Sequence, residues 1–298
     1  MSVVVNTNIQ SLIGQNSLNK NTSALNTTLQ KLSTGSRINS AKDDAAGLGV
    51  AEQMTAQIRG NAQAMSNIQD GMNLIQTAEG GLKVITDNIQ RIRELCIQAA
   101  NEIYSDESKQ AIMNEISQRL KTVDTIAQTT NFNGKSLIDG SVTSLSIQTG
   151  PNGDSASGPI LNALDIGPSL TDAKVASLGI KLDVVDLGDG DATTNKYDGA
   201  TWTTQKIRDY INVLDDALNT ITSDMSMMGA YMNSMESSAE NLTTINLNLE
   251  AARSKIRDVD VAQASSDMIR YQILQQTSTS ILSQANQMPS IALSLIGG

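Results

Sequence analysis

The chain of 298 residues carries a net charge of −10, an aromatic content of 2%, one cysteine and no histidine. It therefore lacks the commonest metal ligand and the commonest acid–base group near neutral pH, and it forms no internal disulfide. The acidic balance argues against nucleic-acid binding by phosphate neutralisation, and no apolar run approaches the roughly 18 residues of a membrane span.

So few rings suit helices paired along a seam better than a thick enzyme core. No catalysis, cofactor or metal is expected. Residues 1–19 and 271–298 carry no charge, so every charged side chain lies between Lys20 and Arg270. A solvated tail is usually rich in charge. These ends, soluble only through Asn, Gln, Ser and Thr, are expected to be buried against protein.

The N-terminus, "MSVVVNTNIQ", has neither a basic n-region nor a long apolar h-region, so no ordinary secretory signal is expected. Half of the first 28 residues are Asn, Ser or Thr, poor helix formers in isolation. Leu18, Thr22, Leu25, Leu29 and Leu32 nonetheless keep a helical stripe. Next, Ile75, Ala78, Leu82, Ile85, Ile89, Ile92, Cys96, Ala99 and Ile103 alternate in steps of three and four, a coiled-coil seam. Cys96 is read there as a small apolar core residue rather than a nucleophile. "YSDESKQ" breaks the pattern, with Ser105 or Ser108 as the cap of a third helix striped by Met113, Ile116, Leu120, Val123 and Ala127.

From about 131 to 205 the period changes. "FNGKSLIDGS", "LSIQTGPNGDSASG", "KLDVVDLGDGDATT" and "KYDGATW" mix short β-prone runs with Asn-Gly and Asp-Gly turn signals. A calcium loop starting at Asp189 is the competing reading. Thr194 stands where its glycine belongs and Ala200 where its closing glutamate belongs, so the hairpin reading wins.

The heptad pattern then resumes through Ile211, Leu214, Leu218, Ile221, Met225, Met228, Met232, Met235, Ala239 and Leu242. Four of the five methionines between 225 and 235 sit on this seam and only Met227 lies off it. They read as adaptable core, not as a soft-metal site. A weaker stripe begins with Val261, Ala264, Met268 and Tyr271 and continues through Ile281, Leu282 and Ala285. The two terminal helices are expected to pair, and neither should be stable without a partner.

The fold class is therefore mainly α: a long antiparallel coiled-coil or bundle rod with a small β-hairpin region in the middle of the chain. Long helices are expected at about 46–103, 106–129 and 207–256, within a rod domain of residues 45–256.

"LSTGSRINSAKDDAAGLGVAEQM" (32–54), "IQRIRELCIQAAN" (89–101), "TNFNGKSLIDG" (130–140), "ARSKIRDVDVA" (252–262) and "ILQQTSTSILSQANQMPSIALSL" (273–295) resemble bacterial flagellin, in a short form without the large variable outer domains. The seam methionines depart from the more mixed Leu/Val/Arg pattern of that family. The resemblance implies a structural subunit that polymerises into the flagellar filament for swimming. It also implies type III export without a cleavable signal, and an extracellular location. Residues 1–44 and 257–298 would form an inner coiled-coil domain that orders on assembly. The implied partners are further copies of the chain, an export chaperone, and cap and hook-junction proteins.

The vertebrate Toll-like receptor that senses flagellin is a further implied partner. Its signature matches Gln90, Arg91, Leu95 and Gln98 on one helix and Ile112, Glu115 and Arg119 on the next. Arg91 and Leu95, four apart, are expected to lie off the seam. The alternatives are a hook–filament junction protein, whose match to these motifs would be weaker, or a cytoplasmic signalling coiled coil, which would not leave both ends free of charge. The zinc-peptidase variant of the family needs histidines that this chain lacks.

Overall fold

The computed structural model describes residues 8–153, 163–166, 170, 172–180 and 203–296, the side chains of 289–296 excepted. Turn signals between 181 and 202, and with them the loop at Asp189, lie outside the described residues. The chain divides into two compact units: Met1–Ile58 with Asn246–Gly298, and Arg59–Ile245.

The first helix of the chain, α1 (Ile9–Thr34), belongs to the terminal unit; the middle unit is built on α2 (Ala45–Ala99), α3 (Asp106–Thr129) and α4 (Thr204–Arg257), of which α2 and α4 also extend into the terminal unit. The ion pair Arg93–Asp215 joins α2 to α4, and Arg91–Glu115 joins α2 to α3. Ile75, Leu82, Ile85, Ile89, Ile92 and Cys96 of α2 are buried with Ile116, Leu120 and Val123 of α3 and Leu214, Ile221 and Met228 of α4 in one core. The seam residues of α2 thus do what their spacing predicts as far as Ala99.

Ile103 does not. The helix ends at Ala99, and Ile103 is 88% exposed. The Asn101 side chain accepts from the Ile103 N–H at 3.2 Å, a local turn that competes with helical hydrogen bonding. Ser105 then caps α3, its hydroxyl accepting from the Ser108 N–H at 3.3 Å, with Asp106 and Glu107 favourably placed in the first turn.

The seam of α4 is broader than its heptads suggest. Leu214, Ile221, Met228, Met235 and Leu242, seven apart, are buried. Their partners Ile211, Leu218, Met225, Met232 and Ala239 are only half-buried, whereas Tyr210, Ala217 and Asp224 on the other flank are buried. A core shared by three helices and the intervening segment covers a wider face than a two-helix seam does. Met227 is exposed.

The segment after α3 forms two short antiparallel ribbons. β1 (Asn131–Phe132) pairs with β2 (Lys135–Ser136), and β3 (Ser146–Gln148) with β4 (Ala163–Asp165). The first turns at Asn133 and Gly134, with φ of 50° and 78°, the left-handed pair that an Asn-Gly turn supplies. Leu137, Ile138, Ile166, Leu170, Ala173, Val175 and Ile180 of this segment are buried in the helical core. The approach to α2 is close: a Cβ at Gly81 would lie 2.7 Å from the Thr130 hydroxyl oxygen and 3.0 Å from Ile138.

In the terminal unit, α1 (Ile9–Thr34) and α5 (Val261–Ile296) pair antiparallel, with Asn8 near Ala285 and Asn21 near Ser278. The inward side of α1 is Gly14, Leu18, Asn21, Leu25, Thr28 and Leu32, all buried or half-buried, while Leu29 is 42% exposed. The stripe read from the leucines is thus rotated. Asn21 and Thr28 turn in and Leu29 turns out, because the helix follows its 3.6-residue geometry along α5 rather than its most apolar positions. On α5, Ala264, Met268, Tyr271, Ser278, Leu282 and Ala285 face inward, whereas Val261 and Ile281 are exposed.

Candidate interaction surfaces

Three places in the molecule are candidates for contact with a partner, and the first is the outer surface of the α1–α5 pair. Ile9, Leu12, Ile13 and Leu29 on α1 are exposed, as are Val261, Ile269, Ile273, Leu274, Ile281 and Met288 on α5. Two helices alone bury one stripe each. Apolar residues distributed over the remaining faces are what a helix surrounded by other protein carries. No charge lies on α1 before Lys20 or on α5 after Arg270, so covering these faces near the ends of the chain desolvates only amides and hydroxyls that can find new hydrogen bonds.

The second is the link between α1 and α2. Gly35 closes α1 with φ of 68°, the left-handed cap that glycine adopts without strain. Ser36 then bridges to Asp258, the Arg37 N–H donates to the Arg257 carbonyl at 2.6 Å, and the Val259 N–H donates to the Gly35 carbonyl at 3.0 Å. The Arg37 guanidinium caps the end of α4 by donating to the Ile256 carbonyl at 2.5 Å, and Arg257 pairs with Glu52 at 2.9 Å. The Asp43 carboxylate accepts from the backbone N–H groups of Asn39 and Ser40, and these bonds hold its pKa below the usual carboxylate range. Asp44 caps α2 by accepting from the Gly47 N–H at 2.9 Å, and Asp260 does the same for α5 at Ala262. The motif "SRINSAKDDAAG" is thus a knot of caps that turns the chain from α1 into α2.

The third is the α2–α3 face where Gln90, Arg91, Gln98, Glu115 and Arg119 lie. Gln90, Arg91 and Gln98 are exposed and Glu115 and Arg119 are half-buried. Arg91 pairs with Glu94 at 2.8 Å and with Glu115 at 3.6 Å, and Arg119 binds Glu115 at 3.0 Å and Asn88 at 3.4 Å. The hydrogen bond to Glu94, aided by the charge of Glu115, raises the Arg91 pKa further.

Leu95 and Ile112 stand apart from this group. Leu95 is 3% exposed and Ile112 8%, both inside the core. Leu95 lies off the heptad seam, as expected, yet it is buried: α2 packs against α3 as well as α4, so two faces of it are covered. Glu94 and Asn88 belong to the polar network and were not singled out from the sequence. The i, i+3 spacing of Arg91 and Glu94 was the available signal.

Cys96 and Tyr210 are both buried, and loss of solvent pushes the thiol up to about 12 and raises the phenol in the same direction. A thiol so held is not a nucleophile. Met228 and Met235 are fully buried, and the Met235 sulfur would lie 3.3 Å from a Cβ on Gly71, so these side chains fill space between α4 and α2.

Comparison with known proteins identifies the family. The pattern of the bacterial flagellin N-terminal helical region matches residues 5–143, and that of the C-terminal helical region matches residues 211–296. A flagellin of Halalkalibacterium halodurans is 36% identical over 99% of this chain and 100% of its own length. The flagellar filament 33 kDa core protein of Treponema phagedenis is 38% identical over 99% of this chain and 100% of its own. The crystal structure of a Bacillus cereus flagellin is 28% identical, covers 63% of this chain and 94% of that one, and superposes with a TM-score of 0.44. The chain belongs to the bacterial flagellin family.

Proposed function

We propose that this flagellin is a subunit in two parts: residues 45–256 fold in the free chain, and residues 1–44 and 257–298 order when copies assemble. It is a structural subunit of the bacterial flagellar filament, the extracellular polymer that drives swimming. The observation that carries the two-part reading is the exposure of apolar side chains around α1 and α5 on ends that carry no charge. Ordering each residue costs about 1–2 kcal/mol of conformational entropy, a sum that one stripe of contacts does not offset and several neighbouring copies do. Negative-stain microscopy of the purified chain after seeding tests this. Filaments are expected, and a chain that stays monomeric under seeding overturns it.

The same reading includes export through the flagellar type III apparatus with a chaperone, and contacts with cap and hook-junction proteins. It also includes recognition by the vertebrate Toll-like receptor that senses flagellin. The receptor would read the exposed polar group of Gln90, Arg91, Gln98, Glu115 and Arg119, with Leu95 and Ile112 supporting the helices from inside. Arg91→Ala should weaken receptor activation in a reporter assay free of lipopolysaccharide while far-UV circular dichroism is unchanged. Full activation by that variant removes Arg91 from the surface.

A further inference from the structure

The apolar stripe of α1 repeats too regularly to choose by itself the register in which it meets α5. Leu18, Leu25 and Leu32 recur every seven residues on α1. A slide of one heptad therefore replaces leucine by leucine and leaves the apolar stripe in place.

The non-repeating contacts lie on α5, where the inward side chains change from Met268 and Tyr271 to Ser278 and Leu282, and most of those that bridge the two helices are polar. Asn21 donates to the Ser278 hydroxyl at 2.9 Å, and Ser278 is buried. Ser11 donates to the Asn286 side-chain oxygen at 2.7 Å, and Asn8 donates to the Ala285 carbonyl at 2.7 Å. Gln275 donates to the Thr22 hydroxyl at 3.1 Å. Thr28 is also turned inward, but its hydroxyl is satisfied within its own helix by the Ala24 carbonyl and selects nothing. One steric feature adds to the polar ones: Leu282 rests on Gly14, where a Cβ would lie 3.6 Å from the Leu282 Cβ.

We propose that the Asn21–Ser278 pair sets the register in which the two terminal helices of one flagellin chain join. A polar pair inside a heptad seam lowers stability and raises selectivity, because every other register leaves a covered amide or hydroxyl without its partner. A slip that brings Gln275 to Gly14 carries Asn21 from the level of Ser278 to that of Tyr271 and lifts Leu282 off its seat. The cross-helix bonds at Asn8, Ser11 and Gln275 break in the same step. The proposal deepens the filament-subunit reading and rests on it, since the pair matters where many copies must present the same register.

The test is disulfide mapping in the full-length chain with Cys96→Ala. Gly14→Cys with Leu282→Cys reports the observed register, their Cβ spacing suiting a disulfide. Gly14→Cys with Gln275→Cys reports a slip of one heptad. Each pair is built into the otherwise native chain and into a chain with Asn21→Leu and Ser278→Ala. After seeding, the sedimented and soluble fractions are oxidised and read on non-reducing gels.

The native chain should link 14 to 282 and not 14 to 275. In the leucine–alanine chain the ratio of slipped to native crosslink should rise by about tenfold, the factor set by roughly one buried polar pair. Ser278→Thr in a chain that keeps Asn21, and so keeps both the amide and the hydroxyl, should show the native pattern. An unchanged ratio in the leucine–alanine chain overturns the proposal, as does a native chain that links 14 to 275. A native chain that links 14 to 282 without sedimenting counts against the filament reading and supports the register.

Discussion

In the middle unit, α2, α3 and α4 meet through isoleucines and leucines from which solvent is fully excluded. In the terminal unit, α1 and α5 meet through a glycine, an asparagine and a serine set between leucines. All of the largest fully buried side chains among the described residues, Ile68 through Ile180, belong to the middle unit. Each contributes about 1.5–3 kcal/mol by leaving water, a driving force that the thin polar seam of α1 and α5 does not match. The middle unit is built to be stable as one chain. On the reading proposed above, the terminal unit is completed by other copies, and its thin pairing chooses geometry more than it supplies stability.

The sharpest way to break this contrast is to remove the ends. Deleting residues 1–19 or 271–298 should abolish polymerisation while leaving a soluble, helical monomer that melts cooperatively, measured by sedimentation and circular dichroism. In the intact monomer, trypsin should cut at Arg37 and Arg257 before it cuts within the middle unit. A trimmed chain that still builds filaments, or an intact monomer that resists at those sites, would erase the distinction.

A smaller effect separates the two cores by substitution. Ile89→Ala should lower the stability of the monomer by about 2–5 kcal/mol, seen as a clear drop in its melting temperature. Leu18→Ala should leave that melt unchanged and raise the critical concentration for assembly. Equal thermal losses from both would mean that the ends are folded in the monomer. Met228→Leu, a swap of similar volume inside the core, should cost less than about 1.5 kcal/mol. A large loss in chemical denaturation would show that the sulfur does more than fill space.

The smallest effect concerns the knot between α1 and α2. Asp43 has its pKa lowered by bonds that exist only in the fold. Its contribution is therefore present above the unfolded carboxyl value and lost as pH falls through the lower folded one. In the assembled chain, where residues 1–44 are ordered, the Ser40 amide resonance in solid-state NMR should hold steady from neutral pH down to about pH 5 and shift only below the ordinary aspartate range near 4. In Asp43→Asn that titration should vanish.

Much of this was legible in the residues. The three- and four-residue steps of Ile75 to Ala99 and of Leu214 to Leu242 announced α2 and α4, because burying one face of a long helix leaves a periodic record. Asn133-Gly134 announced the first ribbon by its backbone demands. Spacing says less about how many neighbours a helix has. Leu95, Tyr210 and Asp224 look like surface positions to a two-helix seam and are buried by a larger core. The end of α2 was overrun by four residues because Ile103 keeps the period while Asn101 breaks the helix, and hydrophobic pattern alone does not register that competition. On α1 the leucines misdirected the reading, since Asn21 is chosen for what it bonds and not for what it hides. The polar network of Arg91, Glu94, Glu115 and Arg119 spans two helices and needed their packing to be assembled.

The lone thiol has one more consequence. Cys96 is enclosed in the middle unit, and burial pushes its thiol up to about 12, so the reactive thiolate is scarce near neutral pH. An alkylating reagent must wait for α2 to part from its neighbours, and the rate of labelling then reports how often that parting happens. The chain carries its own clock for breathing, readable by mass spectrometry in a free subunit and in a polymer alike. The same enclosure keeps closely packed copies outside the cell from becoming cross-linked to one another through sulfur.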